Sequence, residues 1–243
     1  ILNLLEENPK VKQSQDPQPI GRFEKMDFDD VFFQYDKTPI IQGVSFELKR
    51  GEILGIQGKS GCGKSTLLKL MMRFWDVSSG QICINEIPID KLCLNELYEK
   101  QALMSQEPIL FEDTIAYNIS FNDPQYSRED IQEAAKKAAI DDLISGLKDG
   151  YDTKLAELGD SLSAGEKQRI ALARLFLFDR DVWLLDEPTS NLDSYNEALI
   201  LQSILKHRKD RSIVLVSHRE STLRICDRVL KVESGTIQET SLL

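Results

Sequence analysis

The chain has 243 residues, 41 % of them hydrophobic, which suffices for one large α/β domain or two small ones around a buried core. Its 30 basic and 40 acidic residues leave a formal net charge of -10, which excludes a nonspecific nucleic-acid binder, because affinity for a phosphate backbone comes mainly from Lys and Arg; only a local basic patch stays open. Cys62, Cys83, Cys93 and Cys226 form no C-x-x-C pair and no Cys/His cluster at zinc spacing, so neither a disulfide framework nor a zinc site is expected and a reducing setting fits best.

No apolar run approaches the ~18 residues of a membrane span, and the first residues lack the basic, apolar and small-residue order of a signal peptide. Residues 1–7, I-L-N-L-L-E-E, read as the last turns of an amphipathic helix, and residues 8–20 carry Pro9, Pro17 and Pro19 among Lys, Gln, Ser and Asp, a linker composition. A chain that opens inside a helix without a starting Met is expected to be a fragment with something upstream removed. The expected organisation is a linker over 1–20 and one domain over 21–243.

Residues 26–35 and 43–48 alternate as antiparallel strands, with a turn at 36–39. Tyr35 closes the first strand, where an aromatic ring either packs or offers a flat partner to an adenine. Residues 52–57, E-I-L-G-I-Q, suit a buried strand, and residues 67–74 have helical spacing. Between them lies G-K-S-G-C-G-K-S-T at 58–66, which satisfies G-x-x-x-x-G-K-[ST]. Its glycines let the backbone curl so that successive N–H groups face phosphate oxygens, and the helix beginning near Lys64 adds its positive end. Lys64 reaches terminal phosphates as a mobile charge, and the Ser65 hydroxyl is placed to ligate magnesium.

Further strands are expected at 81–85 and 102–106, with a short helix at 95–100 between them. Gln106, before Glu107 and Pro108, is either an ordinary loop residue or an amide that ligates a metal or holds a water. S-R-E-D from Ser127 has the form of a capping box with Asp in place of Glu, and helical periodicity continues over 131–140. The stretch 113–178 reads as mostly helical and interrupts the strand–helix alternation, so it is expected to be an inserted helical subdomain. Within it, the polar loop 160–169 feeds an apolar-faced helix at 170–178. Ser163 either caps that helix or, with the amides of Ala164 and Gly165, makes a second anion site. Two such sites serve one nucleotide only if two chains face each other.

D-V-W-L-L-D-E at 181–187 is an apolar strand ending in two carboxylates, the form of a second nucleotide motif whose Asp holds magnesium. A cation on Asp186 leaves Glu187 free to face water. Residues 212–217 form the next core strand, and His218 just beyond it is either a surface or capping residue or a ligand contact, since ligands sit at strand ends in open parallel sheets. Residues 228–233 and 235–239 are expected to close the fold as a hairpin.

Taken together, these segments resemble the nucleotide-binding domain of the ATP-binding cassette (ABC) family over residues 23–239, with every motif in the family's order. The phosphate loop is 58–66, the glutamine loop Gln106, the signature L-S-A-G-E at 162–166, the second motif 182–187, the S-N-L-D loop 190–193 and the switch His218. The resemblance implies an α/β P-loop NTPase of RecA-like type, with a mostly parallel core, an antiparallel β subdomain and an inserted helical subdomain. It implies two cassettes sandwiching two ATP molecules. Each ATP would lie on Gly58, Lys59, Ser60, Gly61, Cys62, Gly63, Lys64, Ser65 and Thr66 of one chain, with Tyr35 stacked on adenine. Ser163, Ala164, Gly165 and Glu166 of the other chain would complete the site. Mg2+ would be set by Ser65, Gln106 and Asp186; Lys64 would spread charge, His218 would hold the γ-phosphate, and Glu187 would accept from the attacking water.

The linker 1–9, G-Y-D-T at 150–153 and A-E-L-G-D at 156–160 look like the corresponding parts of exporter half-transporters. That resemblance implies an ATPase powering export, partnered by a second nucleotide-binding domain and by the transmembrane domain of the same transporter, at the cytoplasmic face of a membrane, with no nucleic-acid partner. Two departures stand out: Ala164 replaces a signature Gly, and Ala156 and Leu158 differ from the exporter G-E-R-G pattern. The rival readings are a soluble ABC ATPase acting in translation or on DNA, whose paired cassettes or long coiled coil are not seen here, and a poorly hydrolysing half of an asymmetric pair. Glu187 and His218 weigh against the latter, and Ala164 weighs for it.

Overall fold

Two sheets meet in the computed structural model, which describes residues 11–156, 162–208 and 211–240. The helix expected at 1–7, and residues 157–160 of the A-E-L-G-D stretch, lie outside the described residues. The chain enters through β1 (Lys25–Tyr35) and β2 (Thr38–Lys49), antiparallel partners. The turn between them is tighter than the expected 36–39, because Asp36 takes a left-handed φ of 52° and lets β2 start at Thr38. The chain then crosses to β3 (Ile53–Gly58) and α1 (Lys64–Met71), and returns through β4 (Ser79–Ile84) and β5 (Ile87–Pro88). These complete a four-stranded antiparallel sheet in the order β2-β1-β4-β5. Helix α1 stops at Met71 rather than reaching Phe74, because Arg73 turns left-handed with φ 51° and leaves Phe74 exposed.

After α2 (Leu94–Lys100) and the short β6 (Gln101–Met104), the stretch expected to be helical holds α3 (Ile115–Ser120), α4 (Arg128–Lys137), α5 (Asp141–Ser145) and α6 (Ala164–Phe178). Ser127 caps α4 through a reciprocal box: its Oγ accepts from Asp130 N at 3.2 Å, while Asp130 Oδ2 accepts from Ser127 N at 2.8 Å. The helix ends at Lys137, short of the expected Ile140, and Ala139 turns left-handed. The chain finishes with β7 (Val182–Asp186), α7 (Ser194–His207), β8 (Ser212–Val216), α8 (Glu220–Leu223), β9 (Arg228–Glu233) and β10 (Thr236–Thr240).

The second sheet runs β10-β9-β3-β8-β7-β6, with β9 through β6 parallel and β10 returning antiparallel to β9. Parallel strands covered on both faces need no polar side, which is why β7 and β8 are buried along their whole length. Side-chain alternation sorts them into two cores. Ile53, Trp183, Leu185, Ile213 and Leu215 face α6 and the other inserted helices, whereas Leu54, Ile56, Val182, Leu184, Val214 and Val216 face α1 and the antiparallel sheet. The loops after β3, β6, β7 and β8 therefore emerge on one edge, between the two cores.

Candidate active site

At that edge lies a cavity of about 440 Å³ lined by Ile40, Gly58, Lys59, Ser60, Gly61, Gly63, Lys64, Ser65, Thr66, Gln106, Asp186, Glu187 and His218. Three stretches far apart in sequence thus converge because β3, β7 and β8 are neighbours in the sheet. The loop itself is shaped by backbone freedom: Gly63 has φ 107°, and a Cβ there would sit 2.8 Å from Ile41 Cδ1. The Lys64 ammonium donates to the carbonyls of Gly58 and Lys59, 2.9 Å each, and so lies folded over the loop it belongs to. Cys62 is not among the lining residues; its side chain packs with the core that contains α1, and only its backbone belongs to the loop.

Asp186 ends β7 at 8 % exposure, and the Ser65 hydroxyl hydrogen-bonds its carboxylate. Burial pushes the Asp186 pKa above the usual carboxylate range; the Ser65 hydrogen bond opposes this and the neighbouring Glu187 adds to it. Glu187 is withdrawn from bulk solvent and turned toward His218. It is 7 % exposed, its Oε1 lies 2.9 Å from His218 Nδ1, and its Oε2 is buried without a hydrogen-bond partner among the described residues. The cause is in the backbone. Glu187 N continues the ladder to Val216 O at 3.0 Å, and its φ of 52° turns the chain left-handed at the strand end. His218 keeps most of its ring exposed.

The remaining expected residues lie elsewhere. Tyr35 is half-buried outside the lining, with its ring edge-on to Phe33 at 4.8 Å and Trp75 at 5.3 Å. Ser163 caps α6: Ser163 N donates to Glu166 Oε2 at 2.7 Å and Glu166 N to Ser163 Oγ at 3.3 Å. Neither they nor Ala164 and Gly165 line the cavity of their own chain. Gly165 packs instead on the 190–193 loop, where a Cβ would lie 3.0 Å from Asn191 O.

Three functional neighbours escaped the sequence reading. Gln168 on α6 is fully buried and hydrogen-bonds Glu187 O, Ser190 Oγ and Asn191 N. Glu197 on α7 is 6 % exposed and accepts from Arg219 Nη1 at 2.8 Å, Ser221 Oγ at 2.8 Å and Thr222 Oγ1 at 2.6 Å. Arg219, next to His218, also donates to the carbonyls of Ser190 and Leu192. Burial pushes Glu197 up, but the hydrogen bonds from Thr222, Ser221 and Arg219 outweigh it and leave its pKa below the usual range. A signal existed for two of them: Gln168 continues the buried stripe Leu172 and Leu175, and Glu197 the stripe Ile200, Leu201 and Ile204. A polar residue in such a stripe needs buried partners.

A second, apolar groove of about 520 Å³ opens between β6 and the inserted helices, with Met104, Ile109, Phe111, Phe121 and Phe178 among its walls. Arg174 also lines it, donating to Ile109 O and Asn118 O over the face of Phe121. Burial pushes its pKa down to about 10.

No cluster of three or more His, Cys, Asp or Glu poised to hold a metal occurs among the described residues. A cation at the cavity would therefore rest on Ser65, Gln106 and Asp186 together with oxygens of its ligand. That all-oxygen set, beside an unpartnered carboxylate oxygen of Glu187 and with burial raising the Asp186 pKa, suits a hard divalent cation.

Comparison with known proteins agrees with this arrangement. A family model described as ABC transporter matches residues 41–190. A probable ABC transporter ATP-binding/permease protein of Haemophilus influenzae is 47 % identical over 235 residues, covering 97 % of this chain and 43 % of that protein. A putative multidrug export ATP-binding/permease protein of Staphylococcus aureus is 39 % identical over 243 residues, 99 % of this chain and 42 % of the relative. Among solved structures, that of a bacterial Atm1-family ABC exporter with ATP bound superposes with a TM-score of 0.94 at 36 % identity, covering 98 % of this chain and 42 % of the other. The chain thus spans less than half the length of the relatives it matches.

Proposed function

The chain belongs to the ABC transporter family, and from that premise we propose that it binds and hydrolyses ATP to power export by a membrane transporter, working as a pair of cassettes with ATP between them. The observation that carries the reading is the meeting of the phosphate loop with the acidic strand end, Asp186 and Glu187, in one cavity. The triphosphate lies along the amides of 58–66, and Lys64 leaves the carbonyls of Gly58 and Lys59 for the terminal phosphates. Phosphoryl transfer to water needs position and charge compensation more than covalent help. Once His218 releases Oε1, the Glu187 carboxylate orients the attacking water and takes its proton as the water oxygen bonds to the γ-phosphorus; the bond to the β–γ bridging oxygen breaks and ADP leaves with its electrons. His218 exchanges Glu187 Oε1 for the γ-phosphate. Mg2+ held by Ser65, Asp186 and the Gln106 amide oxygen would supply further compensation of phosphate charge. Tyr35 stacks on the adenine ring.

Two partners follow. Because Ser163, Ala164, Gly165 and Glu166 lie off their own chain's cavity, the signature acts on the nucleotide of a second copy or a close relative. The apolar groove suits the transmembrane domain of the same transporter, since the relatives named above are ATP-binding/permease proteins and Ile109, Phe111 and Phe121 stand exposed there. Paired with such a permease domain, the chain sits at the cytoplasmic face of the membrane; among the described residues no helix is long and apolar enough to cross one. The test is phosphate release from Mg-ATP by the intact protein as a function of its concentration in detergent. A rate that climbs faster than linearly and then levels supports paired cassettes; no ATP-dependent phosphate release at any concentration overturns the reading.

A further inference from the structure

Resting on the reading of this cavity as an ATP hydrolase, we propose that Gln168 is a positioning residue for hydrolysis: its side-chain amide holds the left-handed peptide at Glu187 and so aims the Glu187 carboxylate into the cavity. Gln168 is fully buried on α6, in the stripe otherwise occupied by Leu172 and Leu175. Packing alone would be served by an apolar side chain there, and a buried amide is costly unless its polar atoms are engaged. They are engaged on one target. Nε2 donates to Glu187 O at 3.3 Å and to Ser190 Oγ at 3.0 Å, and Oε1 accepts from Asn191 N at 3.2 Å.

What that target needs is restraint. Glu187 is a non-glycine residue at φ 52°, a conformation that costs free energy and persists only where the surroundings over-determine it. Its N–H is fixed to Val216 O at 3.0 Å, and its carbonyl receives Ser190 N at 3.2 Å besides the Gln168 amide. Without Gln168, the carbonyl keeps only the bond from its own turn, and the peptide can relax toward the right-handed or extended region. Such a rotation carries the side chain off the line that now brings Oε1 to His218 and leaves Oε2 facing inward. Displacing a reacting group by about 1 Å is enough to cost on the order of 100-fold in rate. Gln168 also lies on the helix that Ser163 caps, so one side chain ties the helix presenting the signature to the Glu187 peptide itself.

The test uses the intact protein and three readouts: single-turnover hydrolysis, ATP affinity and the thermal midpoint. Gln168→Leu should lower the hydrolysis rate about 10- to 100-fold with ATP affinity unchanged. Combined with Glu187→Gln it should lower the residual rate no further, because its effect passes through the Glu187 carboxylate. Exposed Gln202→Glu serves as the control and should leave all three readouts as they were. Gln168→Glu, which keeps the shape and the acceptor for Asn191 but loses the donor to Glu187 O, should reproduce the rate loss, and decides the matter if the Leu variant does not fold. A lowered thermal midpoint with a normal rate, or the same fold-loss in the Glu187→Gln background, overturns the positioning role. If Glu187→Gln alone leaves hydrolysis intact, the fault lies instead with the reading of the cavity.

Discussion

Two buried carboxylate sites lie ten residues apart on one strand–turn–helix unit, and they are built in opposite ways. At the end of β7, Asp186 is raised by burial and Glu187 keeps an oxygen without a partner, on a backbone held left-handed. On α7, Glu197 has every visible need met by Arg219, Ser221 and Thr222, and is lowered in consequence. The difference shows where a fold is stabilised and where it is kept ready. The satisfied site fixes the 190–193 loop and the residue after His218, while the unsatisfied site stays costly until a ligand supplies charge.

The sharpest way to break this comparison is Glu187→Gln. It should reduce hydrolysis about 100- to 10,000-fold, the range of a lost general base, with ATP binding retained, as read by phosphate release against nucleotide binding. Next comes Lys64→Ala, which removes the charge now folded over the loop; it should cost about 3 kcal/mol of transition-state stabilisation and also weaken ATP binding, unlike the Glu187 variant. At the satisfied site the effect should move from rate to stability. Glu197→Ala leaves the Arg219 guanidinium without its carboxylate, and because that side chain is 31 % exposed the loss should be about 2 kcal/mol, seen in denaturant unfolding. Equal losses of rate and stability at both sites would erase the distinction.

The smallest effect is the pH dependence of ligand-free stability, where the two sites act with opposite sign. Asp186 has a folded pKa above its unfolded value, so the stability it contributes is present below that unfolded value and is lost as pH rises through the folded one. Glu197 has a folded pKa below its unfolded value, so its contribution is present above about 4.3 and is lost as pH falls through the folded one. Thermal midpoints should therefore peak on the mildly acidic side, and Glu197→Gln should soften the fall at lower pH.

Much of the cavity was legible because its parts are written locally. The 58–66 loop needs nearby glycines and one Lys, α4 announces itself through Ser127 three residues before an acid, and β7 shows as an apolar run ending in Asp186, whereas α6 was expected from 170 and begins at Ala164, where Ser163 and Glu166 close a second capping box. The buried strands followed from the same apolar runs, and their parallel arrangement from the family resemblance. What stayed hidden depends on contacts between distant segments. The left-handed turn at Glu187 is not a matter of its residue type, and Gln168 meets its partners 19 to 23 positions further on only once α6 packs over the strand ends. Tyr35 reads as a strand-end aromatic, yet its partner Trp75 lies forty residues away on the far side of α1. The contact between Glu187 and His218 stayed hidden for the same reason: adjacent carboxylates in sequence say nothing of the ring that meets one of them.

The acidic strand end is held short of charge compensation, and Mg-ATP supplies it. The direct measurement is the thermal midpoint of the wild-type protein and of Asp186→Asn, each with and without Mg-ATP. The wild type should gain several degrees on adding Mg-ATP, while the Asn protein should start higher without ligand and gain little. A wild-type midpoint that ignores Mg-ATP, or an Asn protein that starts lower and gains as much, would contradict it.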